Sequence, residues 1–194
     1  MSFIPAFEIG VWNVWIFMVA WLFIHMVPLE WLIFRYDIRD MFKKAAASPP
    51  YNEAEKVMNF AGTLVFFILL IYSIFLPLPL GTPFFYIGLA LFLLGSVLLE
   101  IARISWATTP ADAPITGGLY RYSRHPVYVA VFLQFAGIGI ASASGLFMLL
   151  VVMHIGLSIP LISPEERFCC EKYGDVYRDY MSRTPRWIGV PKSG

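Results

Sequence analysis

The sequence predicts an all-α integral membrane protein: five transmembrane helices, the last two a tight hairpin, then a C-terminal amphipathic cytoplasmic helix, with no Rossmann domain. Three observations carry this fold class. Hydrophobic residues make up 59% of the 194 and charged residues 14%, and the mean hydropathy is +0.70, far from soluble norms. Several apolar runs reach the length of about 20 residues that crosses a bilayer. The 14 lysines and arginines are confined to three stretches that alternate with those runs. The length fits one membrane domain, residues 1–194. A net charge of +1 gives no reason to expect a nucleic-acid partner.

In chain order, the first apolar run covers residues 9–34, interrupted by Pro28 and Glu30. It lacks a basic start and is too long for a signal peptide. The second covers residues 57–78 and the third 83–104. The stretch 127–162 is too long for one span, and Ala141-Ser-Ala-Ser-Gly145 lies near its middle. Two helices in a hairpin follow. No Lys or Arg precedes the first run, falls in residues 79–82, or sits at the hairpin tip. All lie in 35–56, in 103–124, or in the tail. The bias of basic residues toward the cytoplasm puts the N-terminus outside and the C-terminus inside.

Beyond the last span, Ser163 can cap a helix, Pro164 suits its first position, and Glu166 falls where a capping box needs an acid. Cys169, Tyr173, Val176, Tyr177 and Tyr180 follow helical spacing and form one apolar face. Thr184-Pro185 ends the helix. Cys169 and Cys170 are neighbours, which rarely pair, and they fall on the reducing side. They read as small helix-surface residues. No Cys/His spacing suits a metal, and none is expected.

The chemistry gathers in two polar segments, 115–128 and 163–187. Residues 120–128 hold two arginines, one of the chain's three histidines and three tyrosines. Pro126 starts the fourth span, so His125 sits at its N-cap, where unpaired N–H groups and the helix dipole favour an anion. Arg124 adds a full charge there. The pair suits a carboxylate, and it also suits plain interfacial anchoring. Glu165 and Glu166 would stabilise a helix start by roughly 0.3–1 kcal/mol each. They could equally hold a ligand's ammonium or ribose hydroxyls. Tyr120, Tyr122 and Tyr128 fit an interfacial aromatic belt, or stacking on a base or a cation. Thr116-Gly117-Gly118 gives a flexible backbone for close approach. Within the spans lie Asn13, His25, Glu30, Asn59, Glu100, Gln134 and His154. Glu100 and Arg103 are spaced for a local ion pair, and both histidines read as hydrogen-bonded packing. GxGxxG, P-loop, GxSxG and HExxH motifs are absent.

Arg124-His125-Pro126-Val-Tyr128, followed about 37 residues later by Glu165-Glu166, resembles the isoprenylcysteine carboxyl methyltransferases. These are integral membrane enzymes that use S-adenosylmethionine, releasing S-adenosylhomocysteine, and they are related to the membrane phospholipid methyltransferases. The likeness covers about the last 80 residues, from Thr116-x-Gly118-x-Tyr120 to Thr184-Pro185-Arg186. It implies a cytoplasmic-face cofactor site built from 115–128 and 163–187. Ile115, Tyr120, His125, Pro126 and Tyr128 would contact the cofactor, with Glu165 or its neighbour Glu166. Arg124 and His125 would be catalytic, Arg124 orienting a carboxylate or the cofactor. Leu161 stands where eukaryotic members carry a substrate-binding Arg, and Asp112 where they carry a His. The cofactor half of the pattern is intact and the substrate half is not.

The resemblance implies methyl transfer to a lipophilic acceptor that arrives from the bilayer among membrane lipids. A prenylated cysteine carboxylate needs no general base, being ionised at neutral pH. A phospholipid amine would need one, in His125 or a glutamate. Two other readings compete: a membrane NADPH-dependent reductase-like protein, and an electron-transfer subunit with His25 and His154 on haem.

Overall fold

The computed structural model describes residues 7–35 and 49–192, and of residues 27–35 the backbone alone. The placement expected for the Glu30 side chain lies outside the described residues; the sequence also reads as a loop over residues 45–50, of which residues 45–48 lie outside them too. Among the described residues the fold is all-helical. α1 is Trp15–Arg35, α2 Glu53–Phe75, α3 Pro83–Thr108, α4 Pro126–Ala141, α5 Gly145–Ser158, α6 Ile162–Tyr173 and α7 Asp175–Arg183. Short 3-10 turns at Gly118–Arg121 and Ile159–Leu161 precede α4 and α6.

Local chemistry sets the helix starts. Asn52 and Glu55 form a capping box on α2, with Glu55 N–H donating to Asn52 Oδ1 at 2.9 Å and Asn52 N–H to Glu55 Oε2 at 2.7 Å. Thr82 caps α3 with Pro83 at its first position. Ser144 accepts the Phe147 N–H at 3.2 Å to start α5. The turn between α4 and α5 falls at the expected Ala141–Gly145 stretch, and Ala143 takes the left-handed backbone there, φ 49°.

Three helical stretches are long and apolar enough to cross a membrane: α2, α3, and the path Gly145–Tyr173. Trp15–Met26 and α4 are shorter apolar helices. The outward faces are apolar, as lipid demands: Phe60, Leu64, Phe67, Val97 and Val152 are all more than half exposed. Inside, Met18, Leu69, Phe135, Ile138 and Phe147 are fully buried. α3 and α4 make the closest helix pair. A Cβ on Gly137 would lie 2.6 Å from the Phe92 backbone nitrogen, so only glycine admits this approach.

The polar groups of the spans are mostly tied down. Arg103 donates to Glu100 at 3.1 Å, the expected ion pair. It also donates to the carbonyl of Ile24 at 2.8 Å and of His25 at 3.3 Å. Pro28 has no N–H, so the Ile24 carbonyl four residues earlier lacks its helical donor; Arg103 supplies one. Arg103→Met is therefore expected to cost about 1–3 kcal/mol, read as a lower melting temperature in detergent. Unchanged melting would show that the carbonyl does not need this donor. His25 and His154 hydrogen-bond through Nδ1 to the carbonyls of Trp21 and Gly62, at 2.9 and 3.1 Å. Gln134 donates to Ser96 at 3.0 Å.

The C-terminal region departs from expectation. Ser163, Pro164 and Glu166 do not form a capping box. α6 continues the path of α5, and its first flanking residue, Leu161, already has helical angles and no side-chain cap. A capping serine needs an extended backbone, which Ser163 lacks as the second residue of α6. Pro164 is accommodated because the Pro160 carbonyl is met by the Ile162 N–H. The single tail helix is instead two pieces, broken at Gly174, φ +59°. Val176 is 63% exposed and leaves the predicted apolar face, while Tyr177 and Tyr180 are buried.

Chain alternation puts the start of α2, the end of α3, the start of α4 and all of α6 and α7 at one end of the bundle. At the other end, residues 7–14 pair with the α2–α3 connection, with Val14 N–H donating to the Leu76 carbonyl at 2.9 Å. Every described Lys and Arg side chain belongs to the first, polar end.

Candidate active site

The two polar segments meet at that end. Arg124 N–H donates to the Pro185 carbonyl at 3.0 Å and Gly189 N–H to the Tyr122 carbonyl at 3.0 Å, stitching the residues before α4 to those after α7. Tyr180 adds a hydroxyl donated to the Tyr120 carbonyl at 2.7 Å. Beneath these contacts lies a cavity of about 390 Å³, within the range of small-molecule sites.

Ile115, Tyr120, Arg124, His125, Tyr128 and Glu165 all line it. Pro126 does not. It is buried at the first position of α4 and fixes His125 at the N-cap. Glu166 does not line it either, and its side chain is 4% exposed. The two glutamates, indistinguishable in sequence, thus face different surroundings.

Glu165 turns to the cavity. The Tyr128 hydroxyl donates to its Oε1 at 2.5 Å, and its Oε2 lies 3.8 Å from His125 Nδ1, beyond hydrogen-bond range. Glu166 turns to a cluster of cations. Arg124 Nε is 3.1 Å from its Oε1, an ion pair whose angle is off for a hydrogen bond. Arg186 donates to both of its oxygens. His125 Nε2 is 3.1 Å from Oε1. With its proton on Nε2, the imidazole donates to Glu166 and keeps the Nδ1 lone pair on the Glu165 side. Arg124 is held further by Nη1 donating to the Met181 carbonyl at 3.2 Å.

Aromatic groups complete the walls. Trp106 ends α3, Phe168 and Tyr173 come from α6, and Tyr177 and Tyr180 from α7. Burial pushes the Tyr120, Tyr177 and Tyr180 hydroxyls above their usual range. Glu165 adds to this for Tyr120, as do Cys169 for Tyr177 and Tyr120 for Tyr180. They stay neutral donors at physiological pH. Cys169 is a half-buried free thiol that lines the cavity rather than the outer helix surface. Lys172, at the mouth, stands 5.0 Å from the Tyr173 ring centre.

Sequence reasoning did not single out Arg186, Lys172 or Trp106. Arg186 lay at the edge of the motif likeness, but its partner Glu166 was 20 residues away on another element. Tyr122 was singled out and is 53% exposed, outside the cavity.

A family model described as phospholipid methyltransferase matches residues 80–176, half of the chain. The match takes in α3, the 115–128 segment, the α4–α5 hairpin and α6, hence His125, Glu165 and Glu166. Arg186 and the α7 tyrosines lie beyond it. No curated protein matches the chain.

Proposed function

The chain belongs to the phospholipid methyltransferase family and is an integral membrane methyltransferase; from that premise we propose that S-adenosylmethionine and a lipid-borne acceptor meet in the 390 Å³ cavity. The observation that carries this is Glu165, a carboxylate turned into an aromatic-walled pocket with one oxygen free of hydrogen bonds from the described side chains. The residues fit the cofactor. Glu165 suits its ammonium or ribose hydroxyls, the tyrosines and Trp106 suit its base, and Ile115 and Phe168 supply apolar wall. When bound, it would supply an electrophilic sulfonium methyl whose leaving group, a neutral thioether, needs no protein acid.

The topology proposed has five spans, with the N-terminus outside and the cavity on the cytoplasmic side, following the basic residues at that end. α4, with 16 residues, is about 24 Å long against a hydrocarbon core of about 30 Å. His125 at its start then sits at or just below the interface, within reach of a lipid headgroup.

For the acceptor, the charges favour an amine. A carboxylate held beside His125 would need a cation there, yet Arg124 is matched by Glu166 and the Met181 carbonyl, Leu161 is a buried apolar group, and the other lysine or arginine lining the cavity, Lys172, belongs to α6. An amine needs a base to take its proton. His125 offers Nδ1 for this, and Glu165 nearby would balance the resulting charge. Lys172 at the cavity mouth is placed to meet a headgroup phosphate.

Calorimetric titration of S-adenosylhomocysteine into detergent-purified protein is expected to show saturable binding, one per chain. No binding in a folded sample would overturn the cofactor assignment. With a labelled methyl donor, phosphatidylethanolamine is expected to take label and a prenylated cysteine not. Label on the prenylcysteine carboxylate alone would reverse the acceptor assignment.

A further inference from the structure

A second cavity has a volume of about 330 Å³. Arg124 lines both. The walls of the second come from the end of α7 and the segment after it, and they carry Arg124, Arg183, Arg186 and Lys192. The backbone closes it: Lys192 N–H donates to the Arg183 carbonyl at 2.9 Å. The carboxylates paired with this group among the described residues are Glu166, shared by Arg124 and Arg186, and Asp179, 2.9 Å from Arg183. Four cations thus meet two acids, and positive charge is left over in a concave space. Three of the four are guanidiniums, whose planar forks match tetrahedral oxyanions. The Arg183 and Arg186 side chains are about half exposed, so their remaining donors can reach a ligand. Val190 lines the cavity and is 86% exposed, and Ile188, two residues earlier, is 73% exposed, so apolar surface accompanies the charges in this segment.

We infer that this second cavity binds a phosphate group, distinct from anything held in the first. Two sources carry that chemistry: a lipid headgroup, to which Ile188 and Val190 would give an apolar footing, and free phosphate. The reading needs no methyl donor, so it stands or falls apart from the methyltransferase assignment.

The test is calorimetric titration of the full chain in nonionic detergent, once with inorganic phosphate and once with dihexanoyl phosphatidylglycerol. Saturable binding of at least one probe is expected, weakened at least tenfold in the Arg183→Ala/Lys192→Ala double variant. Tighter binding of the lipid assigns the site to a headgroup, and tighter binding of inorganic phosphate assigns it to a soluble ion. Because Arg183 also pairs with Asp179, the single variant Lys192→Gln serves as the control that perturbs no ion pair among the described residues. It should melt as wild type and lose affinity at least threefold. Absence of saturation with both probes, or wild-type affinity in Lys192→Gln, overturns the inference.

Discussion

Glu166→Ala is expected to lower stability by about 3–5 kcal/mol, the usual consequence of removing one partner from a buried ion pair. The Glu166 side chain is 4% exposed and the Arg124 side chain 11%. Taking the carboxylate away leaves the 11% exposed Arg124 side chain without its ion-pair partner and with little solvent contact to replace it. It also frees Arg186, whose bonds to Glu166 hold the segment after α7 against the start of α4. His125 loses the acceptor that fixes its tautomer. Thermal melting in detergent reads the first effect directly. Glu166→Gln keeps the shape and some hydrogen bonds, so its loss should be smaller. If Glu166→Ala melts within a degree or two of wild type, the cluster does not hold the tail in place.

Glu165→Gln should do the reverse. Its side chain is a third exposed and pairs with no lysine or arginine among the described residues, so melting should change little. Binding of S-adenosylhomocysteine should weaken roughly 10- to 100-fold, since a charge-assisted hydrogen bond contributes about 1.5–3 kcal/mol. Calorimetry on the same sample gives both numbers. Normal binding together with a lowered melting point would make Glu165 a helix-stabilising acid and remove it from the site. The two variants together separate positioning from ligand contact in a way that a double substitution would blur.

Much of this was legible in the sequence because lipid imposes simple rules. The hairpin around Ala141–Gly145, the pairing of Glu100 with Arg103, and the crowding of basic residues at one end all follow from span length and charge. His125 at the start of α4 follows from Pro126. What the sequence withheld was rotation. Neighbouring residues on a helix point about 100° apart, so Glu165 and Glu166 must face different surroundings. Which faces the cavity depends on how α6 is turned, and that is set upstream, by its continuity with α5. The same continuity defeated the capping box. Its residues were right, but Ser163 arrived with the helix already under way. Arg186 was hidden for another reason: a long-range ion pair leaves no local spacing to read.

The Gly137 contact bears on how the first cavity can change shape. At that point backbone meets backbone, with no side chain between α3 and α4 to repack into a second arrangement. Trp106 and His125 ride on this fused pair and form an anvil. The opposing wall, α6 and α7, is jointed at Gly174 and held by ion pairs and hydrogen bonds rather than by interlocked backbones. The two sides of the cavity thus differ in build: a fused backbone pair on one, and on the other a wall whose one break is the Gly174 joint between α6 and α7.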